Sequence, residues 1–256
     1  TIQSAMAGVR RIDAFLDQPE RTIPPARREA ARGDVEFAHV TFGYGERHVL
    51  KDFSMTVKQG EQVTLVGRTG AGKSTVVDIL LGLLEPSTGH IYADSVDVKE
   101  PGNYRKWLKN IGYIPQMIFM LDDTIRKNVA FGVPEDKIDE DRLWEVLKEA
   151  QLDEFIKTLP EGLETGIGER GIRLSGGQRQ RIGIARALYN DPEVLILDEA
   201  TSALDNDTEA AIMESINRLH GRKTLIIIAH RLQTIEKCDI VYRVEDGRAK
   251  IERGNL

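Results

Sequence analysis

The stretch that decides the fold is Gly67-Arg68-Thr69-Gly70-Ala71-Gly72-Lys73-Ser74-Thr75. It separates an apolar run at 63–66 from a second apolar segment at 76–84, an arrangement that predicts a strand, a phosphate-binding loop and a helix. The glycines let backbone N–H groups approach phosphate oxygens, Lys73 reaches the terminal phosphates, and Ser74 offers a hydroxyl to Mg²⁺. A glycine turn with a stray lysine is the alternative, but the flanking strand and helix favour a nucleotide site.

The composition is that of an ordinary globular protein of 256 residues, which is long enough for one large domain or two small ones. The net charge is −6 and the sequence contains no basic patch, so no nucleic-acid partner is expected. The single cysteine, Cys238, cannot form an internal disulfide. No apolar stretch approaches the roughly 18 residues that cross a bilayer, and the first residues given show no signal-peptide pattern. We therefore expect this chain to be soluble.

Residues 1–33 differ in character from the rest of the chain. Their apolar residues recur at helical spacing as far as Leu16, and Pro19 then limits the predicted helix. Prolines and arginines after it predict an extended linker. The segment contains six Arg and four Asp or Glu, a net charge of +2. That charge suits a segment beside anionic lipid, but a solvated linker explains it equally well.

Two short segments and one long segment have patterns of their own. Phe42-Gly43-Tyr44-Gly45 predicts a loop whose tyrosine either stacks on a flat ring or packs over a strand end. Ile111-Gly112-Tyr113-Ile114-Pro115-Gln116 predicts a strand that ends in a glutamine. Residues 117–171 carry apolar side chains at helical spacing, which predicts a helical insertion.

Leu174-Ser175-Gly176-Gly177-Gln178 precedes a predicted helix over 179–188. Ser175 has the side chain of an N-cap, and two glycines expose N–H groups at the positive end of a helix. A plain capped helix needs only the serine, so the paired glycines favour a second phosphate-binding site.

A continuous apolar run at 194–197 predicts a buried parallel strand that delivers Asp198 and Glu199 to its carboxyl end. We expect Asp198 to hold Mg²⁺ and Glu199 to polarise a water molecule. An acidic helix cap explains Asp198 alone and leaves Glu199 unaccounted for. A second apolar strand over 224–229 delivers His230. A lone histidine is more often structural, but this edge of a doubly wound sheet binds ligands, which favours a function.

The remaining C-terminal pattern predicts a helix over 202–219 and a β-hairpin. The hairpin joins apolar strands at 240–244 and 248–251 through Asp246-Gly247, a dipeptide typical of two-residue turns with positive φ.

In this order, the phosphate loop, Gln116, the motif at 174–178, Asp198-Glu199 and His230 resemble the nucleotide-binding domain of ATP-binding-cassette (ABC) transporters. The resemblance covers roughly residues 34–254, and Leu-Ser-Gly-Gly-Gln is specific to that family. It implies an α/β P-loop NTPase with a mainly parallel core sheet, an antiparallel β subdomain and a helical subdomain at about 117–190. It also implies that 1–33 are the end of a last transmembrane helix with its linker, and that 34–256 are the nucleotide-binding domain.

The resemblance implies a role for each matching residue, with ATP and Mg²⁺ as cofactors. Tyr44 stacks on adenine, Gln116 couples the metal to the transmembrane domain, Glu199 is the catalytic base, Asp205 belongs to a segment that crosses a dimer interface, and His230 senses the γ-phosphate. The implied catalytic residues are Glu199, His230, Lys73 and Gln116, and the implied metal ligands are Ser74, Gln116 and Asp198. The implied nucleotide-binding residues are Tyr44, Gly67, Arg68, Thr69, Gly70, Ala71, Gly72, Lys73, Ser74, Thr75, Ser175, Gly176, Gly177, Gln178 and Asp205.

Three further segments bear on the type of transporter. Gly168-Glu169-Arg170-Gly171 is similar to a loop of exporters, and the segments at 121–125 and 128–132 are similar to those of bacterial lipid and oligosaccharide flippases. One departure is that Ala93-Asp94-Ser95 stands where an aspartate–glycine turn is usual. Another is that many relatives continue beyond Leu256 into C-terminal helices.

We interpret the chain as the ATPase domain of a membrane exporter. It would act as a homodimer with a transmembrane domain of the same transporter, at the cytoplasmic face of the cell membrane. A soluble non-transport ATPase of the same superfamily and a regulatory nucleotide-binding module without turnover are the alternatives.

Overall fold

The structure is a computed structural model that describes residues 34–100, 102–200, 206–229 and 235–254. The described strands are β1 (Val35–Tyr44), β2 (Arg47–Val57), β3 (Gln62–Val66), β4 (Thr88–Ala93), β5 (Val96–Asp97), β6 (Ile111–Ile114), β7 (Val194–Asp198), β8 (Thr224–Ile228), β9 (Ile240–Glu245) and β10 (Arg248–Arg253). The described α-helices are α1 (Lys73–Leu80), α2 (Asn103–Lys109), α3 (Ile125–Val129), α4 (Glu140–Glu149), α5 (Asp153–Lys157), α6 (Gly176–Tyr189) and α7 (Asn206–Asn217). None of the helices in these ranges has the length and apolarity to span a bilayer.

The central sheet has the strand order β10-β9-β3-β8-β7-β6. Strands β9, β3, β8, β7 and β6 are parallel, and only β10 runs antiparallel to its neighbour. Every residue of β3 and β8 is buried, as expected of parallel strands that are covered on both faces. The predicted mainly parallel core sheet is therefore confirmed.

The two faces of this sheet contact different parts of the molecule. Successive residues of a strand point to opposite faces, and Leu195 and Ile227 pack with the helices that follow β6. Their neighbours Ile196 and Ile226 pack instead with the second, antiparallel sheet. That alternation makes the central sheet the shared core of the predicted β and helical subdomains.

The second sheet has the order β2-β1-β4-β5 and is antiparallel throughout. Its β4–β5 turn consists of Asp94 and Ser95, with φ values of 53° and 65°. The β9–β10 turn has the same geometry at Asp246 and Gly247, with φ of 51° and 79°, which confirms the predicted hairpin. Because Ser95 occupies a conformation that glycine adopts more readily, the turn that departs from the usual aspartate–glycine pair is the more strained of the two.

The helices between β6 and β7 form a compact layer on one face of the central sheet. Leu143 and Leu147 of α4 and Ile182 of α6 are fully buried within it. The predicted helical insertion is thus present, while its domain boundaries at about 117–190 stay a prediction.

The structure differs from the sequence interpretation in three places. Helix α2 was not predicted, because its seven residues are too few to show a helical period. Tyr44 is the last residue of β1 rather than part of a loop. The helix predicted over 202–219 ends two residues earlier, at Asn217, while its predicted first residues lie outside the described ones. The predicted helix and linker within 1–33 lie outside the described residues.

Candidate nucleotide site

The phosphate loop joins β3 to α1 and has the predicted strand–loop–helix arrangement. Gly67, Gly70 and Gly72 have φ values of 150°, 78° and 109°, a region that favours glycine. A Cβ on Gly67 would overlap the Val244 carbonyl oxygen, and one on Gly72 would lie 2.9 Å from Leu50 Cδ2. No side chain caps α1 at Gly72. The first N–H groups of a helix have no intrahelical partner, so this terminus is available to an anion.

Lys73 is 5% exposed although it carries an ammonium group. Its Nζ donates to the carbonyl oxygens of Gly67 at 2.8 Å and Arg68 at 3.2 Å. Burial lowers the pKa of Lys73, and the negative charges of Glu199 and Asp198 act in the opposite direction. The ammonium therefore lies on the loop itself, within the electrostatic reach of both carboxylates.

The carboxyl ends of β6, β7 and β8 meet at the same edge of the sheet as the loop. Asp198 is the last residue of β7 and pairs with Ile228 of β8. Beyond the strand ends, Gln116 Nε2 donates to Glu199 Oε2 at 3.2 Å. This edge thus brings together three residues predicted to act on metal and water.

The backbone at Glu199 is unusual. Its φ is 48°, a value that costs of order 1–3 kcal/mol for a residue other than glycine and that clusters at functional sites. Its N–H donates to the Ile228 carbonyl oxygen at 3.2 Å. The strained residue thus lies directly after Asp198, where β7 ends.

Asp198 has a perturbed electrostatic environment. Burial raises its pKa and the neighbouring Glu199 charge raises it further, while a hydrogen bond from Tyr113 lowers it. The Tyr113 hydroxyl lies 3.4 Å from Asp198 Oδ2. Burial and the Asp198 charge raise the pKa of Tyr113 to about 12, so its phenol stays protonated at neutral pH and acts as the donor.

A cavity of about 400 Å³ lies along the other side of the loop, a volume within the range of small-molecule sites. Its walls come from the loop, from β2 and from the β9–β10 hairpin, and they include Arg47, Lys51, Arg68 and Arg243. The lining also includes Glu245 and Asp246, so the four cationic side chains outnumber the acidic ones, an excess that suits a polyphosphate ligand beside a phosphate loop. The sequence reasoning missed Arg47, Lys51 and Arg243, because only the folded sheet brings these distant segments to the loop.

Tyr44 is 57% exposed at the end of β1. Its ring packs edge-on against Phe42, with centroids 5.0 Å apart and planes at 88°. Both interpretations of this tyrosine are compatible with that geometry, since the ring contacts Phe42 of the same strand and more than half of the residue is exposed. Stacking on adenine stays a prediction.

Ser175 caps α6 in the predicted way. Its Oγ accepts a hydrogen bond from Gln178 N at 3.2 Å, and Gln178 Oε1 accepts one from Ser175 N at 2.8 Å, which together form a capping box. A Cβ on Gly177 would overlap Thr208 Cγ2 of α7. One of the two glycines therefore has a packing reason within its own chain, which the sequence argument for phosphate recognition did not include.

Two predicted site residues, Asp205 and His230, lie outside the described residues. Among the described residues, no three His, Cys, Asp or Glu side chains are grouped closely enough to form a metal site. The predicted ligands Ser74, Gln116 and Asp198 include only one carboxylate. Such a set fits Mg²⁺, which is commonly held by one or two carboxylates together with substrate phosphates and water.

The fold and the edge of the sheet define a class: an α/β P-loop protein with a phosphate loop and adjacent carboxylates at one site. Residues 50–202 match the family model described as ABC transporter. This match covers more than half of the chain, so the chain belongs to the ABC transporter family, which implies that the loop binds ATP.

Individual relatives agree with that family. The ABC transporter ATP-binding protein YwjA of Bacillus subtilis is 42% identical over 88% of this chain and 40% of its own length. The ATP-dependent lipid A-core flippase of Cupriavidus metallidurans is 41% identical over 96% of this chain and 42% of its own length. The protein of the same name from Coxiella burnetii is 40% identical over 99% of this chain and 43% of its own length. This chain spans about two fifths of the length of these curated relatives.

A solved structure gives the same result for the fold. A bacterial Atm1-family ABC exporter with ATP bound superposes with a TM-score of 0.81 at 34% identity, over 97% of this chain and 44% of that one. The predicted fold class and the predicted resemblance to an ABC exporter ATPase domain are therefore confirmed. The roles of individual site residues stay predictions.

Proposed function

We propose that this chain is the ATP-hydrolysing domain of a membrane exporter and acts at the cytoplasmic face of the membrane. The observation that carries the proposal is the meeting of the phosphate loop, Asp198 and Glu199 at one edge of the central sheet. A regulatory module needs the loop to hold nucleotide but has no use for Glu199 in a strained turn beside a glutamine.

The loop and Lys73 bind the triphosphate in this proposal. The uncapped N–H groups of α1 donate hydrogen bonds to phosphate oxygens. The Lys73 ammonium leaves the carbonyl oxygens of Gly67 and Arg68 for the terminal phosphates, which are stronger, charged acceptors. Mg²⁺ would be held by Ser74, Gln116 and Asp198, and it neutralises phosphate charge when bound. Ser74 is exposed at the start of α1.

Glu199 acts as the general base. Its carboxylate accepts a proton from the attacking water, the water oxygen bonds to the γ-phosphorus, and the bond to the β–γ bridging oxygen breaks to leave ADP and phosphate. Gln116 donates to the Glu199 carboxylate and so fixes its direction before water arrives. Positioning of this kind is the main contribution a protein makes to phosphoryl transfer.

An exposed apolar patch beside Gln116 supports a membrane-domain partner. Met117, Phe119 and Phe131 are 86%, 65% and 50% exposed. Phe131 also lines a groove of about 730 Å³ that runs between α2, β6 and α6, together with Tyr113 and Arg186. Exposed apolar surface of this kind marks an interaction site. The curated relatives are more than twice as long as this chain, and we assign the patch to the membrane domain of the same transporter.

A second copy of the domain completes the site in this proposal. Ser175 is exposed at the N-terminus of α6, and neither it nor its neighbours Gly176 and Gly177 line the cavity beside the loop. A helix N-terminus that does not contribute to the phosphate site of its own chain can contribute to the phosphate site of a partner chain related by a two-fold axis. We therefore propose a homodimer with two composite sites.

The direct test is ATP turnover with Mg²⁺ by the purified chain and its Glu199→Gln variant. Loss of the general base should lower turnover by about 10²–10⁴ and leave ATP affinity intact, because glutamine preserves shape. Equal turnover in the two proteins would remove Glu199 from the mechanism. Tight ATP binding without any turnover in the unmodified chain would instead favour the regulatory module.

A further inference from the structure

Tyr113 connects two features that are far apart in sequence. It is the third residue of β6 and is separated from Asp198 by 85 positions. Strands β6 and β7 are parallel neighbours, with Tyr113 paired to Ile196, so residues near their carboxyl ends lie side by side. Its hydroxyl reaches Asp198 Oδ2 at 3.4 Å, and the same residue lines the groove beside the exposed apolar patch.

The contact with Asp198 gives the Tyr113 hydroxyl the role of a donor. A phenol carries one O–H group, and an ionised carboxylate can only accept a hydrogen bond. The Tyr113 hydroxyl therefore donates to Asp198 Oδ2. A hydrogen bond to Oδ2 occupies one oxygen of Asp198 and leaves Oδ1 for a cation.

We propose that Tyr113 is a positioning residue that orients the Asp198 carboxylate for Mg²⁺. This inference rests on the proposed function, because it needs Asp198 to be a metal ligand. Hydrogen bonds from outer residues to metal-binding carboxylates commonly account for 10–100-fold in metal affinity. The contact here is longer than an ordinary O–H···O bond, so we expect an effect at or below the lower end of that range.

The test measures how strongly Mg²⁺ enhances nucleotide binding, with no reliance on turnover. The fluorescent analogue 2′/3′-O-(N-methylanthraniloyl)-ATP is titrated into the chain in EDTA and again with Mg²⁺, and the ratio of the two dissociation constants is the enhancement. Tyr113→Phe should leave the value in EDTA unchanged, because the loop and Lys73 are intact. Its enhancement should fall by about 3–10-fold.

A matched control is Tyr104→Phe. The Tyr104 hydroxyl donates to the Leu81 carbonyl oxygen at 2.6 Å, so this variant loses the hydroxyl of another half-buried tyrosine that donates to a backbone carbonyl and not to a carboxylate. We expect it to keep the full enhancement. A loss as large as that of Tyr113→Phe would show a general structural effect and overturn the inference.

A double variant tests whether Tyr113 acts through Asp198. Asp198→Ala removes the acceptor, and in that background Tyr113→Phe should cause no further change. An additional loss would mean that Tyr113 acts by another route. If Mg²⁺ enhances binding by the unmodified chain and Tyr113→Phe does not change that enhancement, this inference alone is overturned. If Mg²⁺ does not enhance binding by the unmodified chain, the proposed Mg²⁺-dependent function is overturned as well.

Discussion

The glycine-rich segments at the N-termini of α1 and α6 differ in whether the backbone N–H groups of their helices have partners within the chain. At α1, Gly72 offers no side chain and the N-terminus has no cap. At α6, Ser175 and Gln178 form a reciprocal capping box. The backbone N–H groups at the start of α1 are therefore available to a ligand, whereas two backbone N–H groups at the start of α6 already have partners in the capping box.

Their glycines differ in a related way. Gly70 of the loop has φ of 78° and open space around its Cβ position, so only backbone conformation requires glycine there. Gly177 is required by a close approach to Thr208. Paired glycines at a helix N-terminus thus do not by themselves indicate a phosphate site. The feature that distinguishes α6 from α1 is a side-chain cap supplied by the same chain. Whether the capped turn also serves a second chain can be decided by mutation.

The largest effect is expected from mixing two inactive variants. Lys73→Ala removes the loop ammonium, and Ser175→Arg blocks the capped turn with a large charged side chain. Each variant alone should lack ATPase activity. In heterodimers, one composite site carries both lesions and the other carries neither, so random pairing should restore about a quarter of the unmodified activity.

The control is the association of the mixed chains. If hydrolysis requires both sites, activity stays absent, but ATP-dependent dimers still form and are seen by light scattering. A capped turn that served its own loop would leave every site damaged. Neither activity nor ATP-dependent association, at concentrations where the unmodified chain dimerises, would contradict the composite site.

The contrast between the turns also shows what the sequence could predict. The loop, the buried strands and the Asp246-Gly247 hairpin were predicted because each depends on residues adjacent in the chain. The contacts Gly177–Thr208 and Tyr113–Asp198 were not, since they depend on how α6 meets α7 and how β6 pairs with β7. Local patterns specify elements, whereas the residues that adjust a site come from pairings between them.

The next prediction concerns the change in the free energy of unfolding caused by Gly177→Ala, because the sign of that change shows why the residue is glycine. Alanine in place of a helical glycine usually stabilises by about 1 kcal/mol, so Gly177→Ala should raise stability if the glycine matters only to a ligand. Because a Cβ there overlaps Thr208 Cγ2, we expect the free energy of unfolding to fall instead, by about 1–3 kcal/mol. Urea denaturation without nucleotide measures this change.

Thr208→Ser provides the matched partner, because it removes the Cγ2 methyl and keeps the hydroxyl. The double variant Gly177→Ala/Thr208→Ser should regain most of the lost stability. A double variant as unstable as Gly177→Ala would show that the contact with α7 is not the reason for glycine at this position.

The smallest effect separates the cap at Ser175 from any contact with a second chain. Ser175→Ala removes the acceptor for Gln178 N and should lower the free energy of unfolding by about 1 kcal/mol, which for a chain of this size is a fall of about 2–4 °C in Tm. Ser175→Asn should retain the stability, because asparagine is an equally good N-cap.

If the serine serves only as a cap, Ser175→Asn also keeps full ATPase activity. If its small hydroxyl contacts a phosphate across the dimer, Ser175→Asn has the unmodified Tm and a reduced turnover, since the larger amide caps the helix but does not fit beside the partner's nucleotide. Calorimetry and turnover measured on the same two variants therefore assign the two roles separately, and a Ser175→Ala variant with unchanged Tm would remove the capping box from the explanation of this turn.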